Sequence, residues 1–323
     1  MHIFIAGGAG YIGSCTTEYL LNHGHQVTVF DALLNGHRQA VDPRANFVKG
    51  NLADLDFLED AVKKAHPDGI IHFAAFIEVG ESMKDPLKYF RNNVANAINL
   101  CQAAADNGVR KVVFSSTAAV YGKPTHLPID EEEPKLPINP YGESKLMFEK
   151  ILDWQHQLRG LQYTALRYFN AAGATPEHGE DHHPETHLIP LVMQAATGER
   201  KQIFIYGDDY KTPDGTCIRD YIHVLDLAQA HLLALESDYC GSLNLGTGGG
   251  NSVKQVIDAV RRVCGHDIPV EIAPRRPGDP ARLIADSSAA KSILGWKPQF
   301  ENLDTIVESA WEWKQRHPHG YQD

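Results

Sequence analysis

A short apolar run, a glycine-rich turn and a helix-forming stretch follow one another within the first 22 residues. The alternation of apolar runs with amphipathic stretches recurs through the first half of the chain and constrains the fold more than any other feature. Apolar runs at His2–Ala6, Gln26–Phe30, Ala45–Lys49, Gly69–Phe73, Lys111–Ser115 and Tyr163–Arg167 are predicted strands. Helices are expected up to about Asn22 and over Leu55–Ala65, Pro86–Asn107 and Tyr141–Arg159. Apolar strands separated by helices predict a parallel sheet covered on both faces. After about Asn170, glycine and proline become frequent and the elements shorten, which predicts a smaller second domain. Ile222–Leu235 and Ser242–Leu245 are expected to return to the sheet. The predicted division is 1–170, with returns at about 222–248, and 171–323. The acidic run Asp130–Glu133 lies among prolines and reads as a solvated loop.

The first turn reads Gly7-Gly8-Ala9-Gly10-Tyr11-Ile12-Gly13. Small residues let the backbone approach a pyrophosphate, and the helix behind supplies N–H groups and the positive end of its dipole. Asp31 ends the second strand roughly 20 residues on, where a carboxylate can hold ribose hydroxyls. It would repel a 2′-phosphate, and Ala32–Leu34 offer no arginine to receive one. The chain is therefore expected to bind NAD on a Rossmann-type doubly wound α/β sheet, followed by a smaller C-terminal α/β substrate domain.

Composition narrows the partners. The 323 residues include 41 acidic and 30 basic side chains, a net charge of −11. No basic run has the density needed for nucleic acid, whereas a small anion needs only a few local cations. No apolar stretch reaches the ~18 residues of a membrane span. Met1 leads straight into a strand without a charged leader, so no secretory signal is expected. Cys15, Cys101, Cys217, Cys240 and Cys264 are scattered, which suits free thiols in a reducing cytoplasm.

Among the twelve tyrosines, Tyr141 alone begins a YxxxK pattern, ending at Lys145. On a helix the two residues share a face. A lysine there favours the phenolate and is expected to lower the tyrosine pKa toward neutrality. Such a tyrosine can take a proton from a sugar hydroxyl and later return it. Thr117 lies 24 residues earlier, closing the Ser115-Ser116-Thr117 run just past the fifth strand. The C-terminal ends of such strands are where α/β sheets place ligands, so its hydroxyl is expected to share the substrate oxygen.

GGAGYIGS (7–14), HFAA (72–75), FSSTAAVYG (114–122), NPYGESK (139–145) and LRYFNAAG (166–173) resemble the extended short-chain dehydrogenase/reductase family. IYGDDYKTPDGTCIRDYIHVLDLA (205–228), NLGTGGGNSV (244–253), APRRPGD (273–279) and WEWKQRHPHGY (311–321) extend the resemblance, nearly end to end, to its UDP-glucose (UDP-galactose) 4-epimerases. The resemblance implies that Tyr141 is the acid/base, that Lys145 positions the nicotinamide ribose, and that Thr117 is a second hydroxyl. It implies NAD contacts from Gly7, Gly10, Tyr11, Ile12, Gly13, Asp31, Asn51, Leu52, Phe73, Ala74, Ala75, Asn92, Ser115 and Tyr168. Uridine diphosphate contacts would come from Asn170, Leu188, Tyr206, Arg219 and Arg276, with Asp279 nearby. Tyr206 can stack on uracil, and the two arginines can fork onto a diphosphate. An ion pair with neighbouring Asp220 is the ordinary alternative for Arg219.

The implied reaction oxidises C4 to a 4-keto sugar, turns the sugar about its fixed UDP anchor, and returns hydride to the other face. The dehydratases and the decarboxylase that share this fold need a further acidic group, and Thr117 is followed by Ala118-Ala119 instead. A UDP-pentose 4-epimerase and a non-catalytic NAD-binding regulator are the remaining alternatives. The resemblance implies that Leu283 stands where side-chain size gates the sugar pocket, which leaves acetamido sugars open. Asn51, Ile77 and His187 depart from residues common elsewhere in the family.

His178, His182, His183 and His187 cluster with Glu177, Glu180, Asp181 and Glu185. No regular ligand spacing is present, so a polar loop is preferred and no metal is expected. The helices Pro86–Asn107 and Tyr141–Arg159 could pair across a two-fold into a four-helix bundle, and the resemblance implies a homodimer of that kind.

Overall fold

Six apolar runs become the strands β1 (His2–Ala6), β2 (Gln26–Asp31), β3 (Asn46–Lys49), β4 (Gly69–His72), β5 (Lys111–Thr117) and β6 (Gln162–Tyr168). The structure is a computed structural model that describes residues 1–276 and 279–322. Pro277 and Gly278, inside the APRRPGD motif, lie outside the described residues. Helices α1 (Tyr11–Asn22), α2 (Leu55–Ala65), α3 (Val79–Ser82), α4 (Pro86–Phe90), α5 (Asn96–Asp106) and α6 (Pro140–Arg159) join these strands. Strand boundaries agree with the apolar runs to within a residue or two.

The second half contributes β7 (Asn170–Ala172), β8 (Ile203–Tyr206), β9 (Ile218–Arg219), β10 (Tyr221–His223), β11 (Gly241–Leu245), β12 (Asn251–Ser252), β13 (Val270–Ala273) and β14 (Arg282–Leu283). Its helices are α7 (Leu188–Ala196), α8 (Val224–Glu236), α9 (Val253–Cys264), α10 (Ser288–Leu294) and α11 (Leu303–Arg316). The helix α8 packs on α1, and β11 joins the sheet beside β6. The main sheet has seven parallel strands in the order β11-β6-β5-β4-β1-β2-β3.

Alternation along β1 sends Ile3 and Ile5 to one face and Phe4 to the other. The first face packs Val27, Val29 and Leu245 against Leu227 and Leu235 of α8. The second packs Phe30, Ile70 and Phe114 against Leu100 of α5 and Phe148 of α6. A separate core lies in the second layer, where Ile189, Val192, Ile205, Val256, Ile257 and Ile306 join α7, α9 and α11 to β8. Three small sheets, β7–β10, β12–β9–β14 and β8–β13, complete that layer among the described residues.

The helix expected over Pro86–Asn107 runs on from α4 into α5, with one π turn inside it. Residues Arg91–Ala95 form a π turn between α4 and α5. An added residue in a helical turn redirects side chains locally, a device common at functional sites. Here buried Asn93 accepts from Phe76 N–H at 2.9 Å and donates to Phe76 O at 2.9 Å and to Ser144 Oγ at 3.2 Å. It ties the end of β4 to α6.

Candidate active site

Strand order reverses between β1 and β4, which opens a crevice at their C-terminal ends. The glycine turn lines it. Gly7 has φ +88°, and a Cβ there would stand 2.4 Å from the backbone nitrogen of Ala74. Two chain segments thus meet at a separation only glycine permits. Gly10 caps α1 without a side-chain hydrogen bond, and no acidic residue occupies the first turn. The orphan N–H groups and positive helix end therefore face no competing anion of their own.

Asp31 closes the opposite corner. Its Oδ2 accepts from Ala9 N–H at 3.0 Å and its Oδ1 from Leu33 N–H at 2.8 Å. Burial raises its pKa, and the backbone donors oppose that shift. The carboxylate is thereby fixed at the end of β2. Asn51 is exposed beyond β3, with Oδ1 accepting from Ala53 N–H at 2.9 Å, and Leu52 is buried beside it. Phe73 packs on His231 at 4.7 Å, and Tyr168 meets the same ring edge-on at 5.7 Å. Asn92 donates to Asn93 at 3.0 Å within the π turn. Ile12 packs into the core. The Tyr11 side chain leaves the crevice: its hydroxyl donates to Gly173 O at 2.6 Å.

The start of α6 delivers Tyr141. Asn139 caps the helix by accepting from Gly142 N–H at 2.8 Å, and Pro140 pre-sets the first turn. A Cβ on Gly142 would lie 2.6 Å from Ala119 O, so this turn sits directly on the segment after Thr117. Thr117 and Tyr141 are thus neighbours. Burial raises the Tyr141 pKa to about 12, the Thr117 hydroxyl lowers it, and Glu78 raises it further. Lys145 donates from Nζ to Ser115 O at 2.8 Å, with Nζ 6.0 Å from the Tyr141 ring centre. Burial lowers its own pKa from 10.5 to about 7, opposed by Glu149.

Burial thus works against the lowering of the Tyr141 pKa expected from Lys145. Glu78, unmarked by any motif, is the carboxylate facing Tyr141. Both its oxygens accept from the Thr186 hydroxyl at 3.1 Å. The lysine shift has a thermodynamic consequence. Between pH 7 and 10.5 the unfolded chain keeps the Lys145 proton that the folded chain has lost. Stability is therefore expected to rise with pH across that window relative to a Lys145→Met variant. Parallel slopes in urea titrations of the two proteins would refute the shift.

The second layer supplies the remaining candidates. Asn170 begins β7, its N–H donating to Asp220 O at 3.0 Å, and Leu188 begins α7. Leu283 pairs with Arg219 in register across β14 and β9 and packs near Ala118 and Tyr121. Arg219 does not pair with Asp220. Its Nη2 donates to Asp279, 60 residues away in sequence. The Asp220 carboxylate is buried and accepts instead from Thr247, Gly248 and Ala285 N–H groups. Arg276 lies over the Tyr206 ring at 4.0 Å, on a face expected to receive uracil. Lys123, Lys211, Arg275 and Arg282 line the adjoining open cleft together with Arg276 and Asp279. A diphosphate would find concentrated positive charge there, in a chain that is acidic overall.

Residues 3–246 match the model of the NAD dependent epimerase/dehydratase family. The chain belongs to that family. NAD is its cofactor, and the crevice fits it: an uncapped helix end, a close glycine approach and a fixed carboxylate stand where the dinucleotide needs them. The chain is 52% identical over 329 residues to a UDP-glucose 4-epimerase of Lacticaseibacillus casei, covering 100% of this chain and 99% of that one. It superposes on a UDP-glucose 4-epimerase from Brucella ovis, solved in complex with NAD, with a TM-score of 0.94. That pair is 46% identical over 99% and 98% of the two chains. A UDP-glucose-4-epimerase from Stenotrophomonas maltophila with bound NAD and formylated UDP-arabinopyranose gives a TM-score of 0.95. Identity there is 38%, over 99% of this chain and 100% of the other. Among the described residues, no helix is long and apolar enough to cross a membrane.

Proposed function

We propose that this family member inverts C4 of a UDP-linked hexose, interconverting UDP-glucose and UDP-galactose. The meeting of Thr117 and Tyr141 at the end of β5, on the same sheet as the glycine turn, carries this reading. Bound NAD would supply the hydride acceptor and donor. Tyr141 takes the proton from the C4 hydroxyl as C4 is oxidised and returns it after the sugar has turned. Thr117 holds the same oxygen. Lys145, seated on Ser115 O, would hold the nicotinamide ribose. Arg219, Arg276 and Tyr206 would anchor UDP, with the diphosphate displacing Asp279 from Arg219 and uracil displacing Arg276 from the ring. A fixed anchor with a free sugar end lets either face of C4 be presented.

We place the division between cofactor and substrate regions near residue 170, with α8 and β11 returning to the first. We also propose a cytoplasmic homodimer paired through α4, α5 and α6. Exposed Leu87, Ile98, Met147, Trp154 and Leu158 on these adjoining helices support that pairing.

Three substrates test the activity: UDP-glucose, UDP-N-acetylglucosamine and UDP-xylose, each followed by NMR for inversion at C4. UDP-glucose is expected to equilibrate with UDP-galactose. Inversion of UDP-xylose alone would favour the pentose enzyme, and no inversion of any substrate would overturn the reading.

A further inference from the structure

Residues 173–187 join β7 to α7, and four side chains of this segment converge. His187 Nδ1 lies 2.9 Å from Glu180 Oε1 and 2.9 Å from Glu185 Oε1. His182 Nδ1 lies 3.3 Å from Glu180 Oε1 and 3.7 Å from Glu185 Oε2. One donor atom from each of the four falls within 4.8 Å of every other. The segment is a loop, as expected, and its four polar side chains turn toward one another. The Glu180 and Glu185 side chains retain only 9% and 6% exposure.

Burying two carboxylates is costly unless cations or metal meet them. Zn²⁺ binds imidazole nitrogen and carboxylate oxygen at about 2.0–2.2 Å, so a tetrahedron around it sets neighbouring donors ~3.3 Å apart. The four nitrogen–oxygen separations bracket that spacing. Two imidazoles with two carboxylates suit zinc, whereas calcium and magnesium prefer oxygen ligands in larger number. We propose that Glu180, His182, Glu185 and His187 form a binding site for one divalent transition ion, zinc by donor set and spacing.

Four protein ligands close a tetrahedral shell, which marks the site as structural. Its position says what it would hold. His187 is the N-cap residue of α7, one position before Leu188. The His182 ring stands edge-on to Tyr11 of the glycine turn at 6.3 Å. An ion here would brace the start of α7 against the cofactor loop. A neighbouring cavity lined by Glu180, His182, Glu185, Ile189, Trp313 and Lys314 offers a route in.

The test uses the NAD-loaded protein, stripped with chelator and titrated with Zn²⁺ alone. Calorimetry and elemental analysis are expected to give about one zinc per chain. Chelation should lower Tm, and zinc should restore it. Binding should persist in His183→Ala, whose side chain lies outside the cluster and is 75% exposed. It should vanish in the double variant His182→Ala/His187→Ala. No uptake, or equal uptake by the double variant, overturns the proposal. Should that variant fail to fold, Co²⁺ in the native chain decides: strong visible absorption from a tetrahedral site supports the proposal, and weak octahedral bands overturn it.

Discussion

Tyr141→Phe is expected to lower turnover by about 10²–10⁴-fold, the usual worth of a positioned acid/base, while UDP affinity stays unchanged. The substitution keeps the ring and removes the hydroxyl that meets Thr117 at the end of β5. The UDP candidates Tyr206, Arg219 and Arg276 lie on other elements, so anchoring is separable from proton transfer. Burial pushes the Tyr141 pKa up to about 12, and the Thr117 hydroxyl works against that rise. Turnover by coupled assay and UDP binding by calorimetry check the split. Near-normal turnover would remove Tyr141 from the chemistry, and lost UDP affinity would make its role one of binding.

Glu149→Ala is expected to cost about 3–5 kcal/mol of stability, because it strands a buried guanidinium. Arg167 donates to Glu149 from Nε at 3.0 Å and from Nη2 at 2.5 Å, and both side chains are 5% exposed. Arg167 Nη1 donates to the Tyr121 hydroxyl at 2.9 Å, which in turn donates to Asn244 Oδ1 at 2.7 Å. Ser116 Oγ also donates to Glu149. The network pins α6, and with it Tyr141, to β5, β6 and β11. Replacing both partners, Glu149→Leu with Arg167→Met, should recover much of the loss, since no charge then remains buried. Urea unfolding of the single and double variants measures this. A single-variant loss below about 1 kcal/mol, the scale of an exposed pair, would mean the network carries no such weight.

Much of this architecture was legible in one dimension. Strand and helix periods reflect which side chains meet the core, and that requirement is written locally into Ile3, Phe4 and Ile5 as firmly as into α2. The glycine turn with Asp31, and Tyr141 with Lys145, could be read because backbone approach and helical spacing are local constraints. The π turn at Arg91–Ala95 could not, since the bond that rewards it runs from Asn93 to Phe76.

The sequence by itself determined the doubly wound sheet and the glycine turn at its cofactor end, and it set Tyr141 one helical turn before Lys145. Only the tertiary structure decided that Arg219 answers to Asp279, that Glu78 faces Tyr141, that Glu149 shields Arg167, and that Glu180, His182, Glu185 and His187 share one point. Those outcomes depend on burial and on partners brought together by the fold. Electrostatic energy follows distance and dielectric in space, and neither is encoded by separation along the chain.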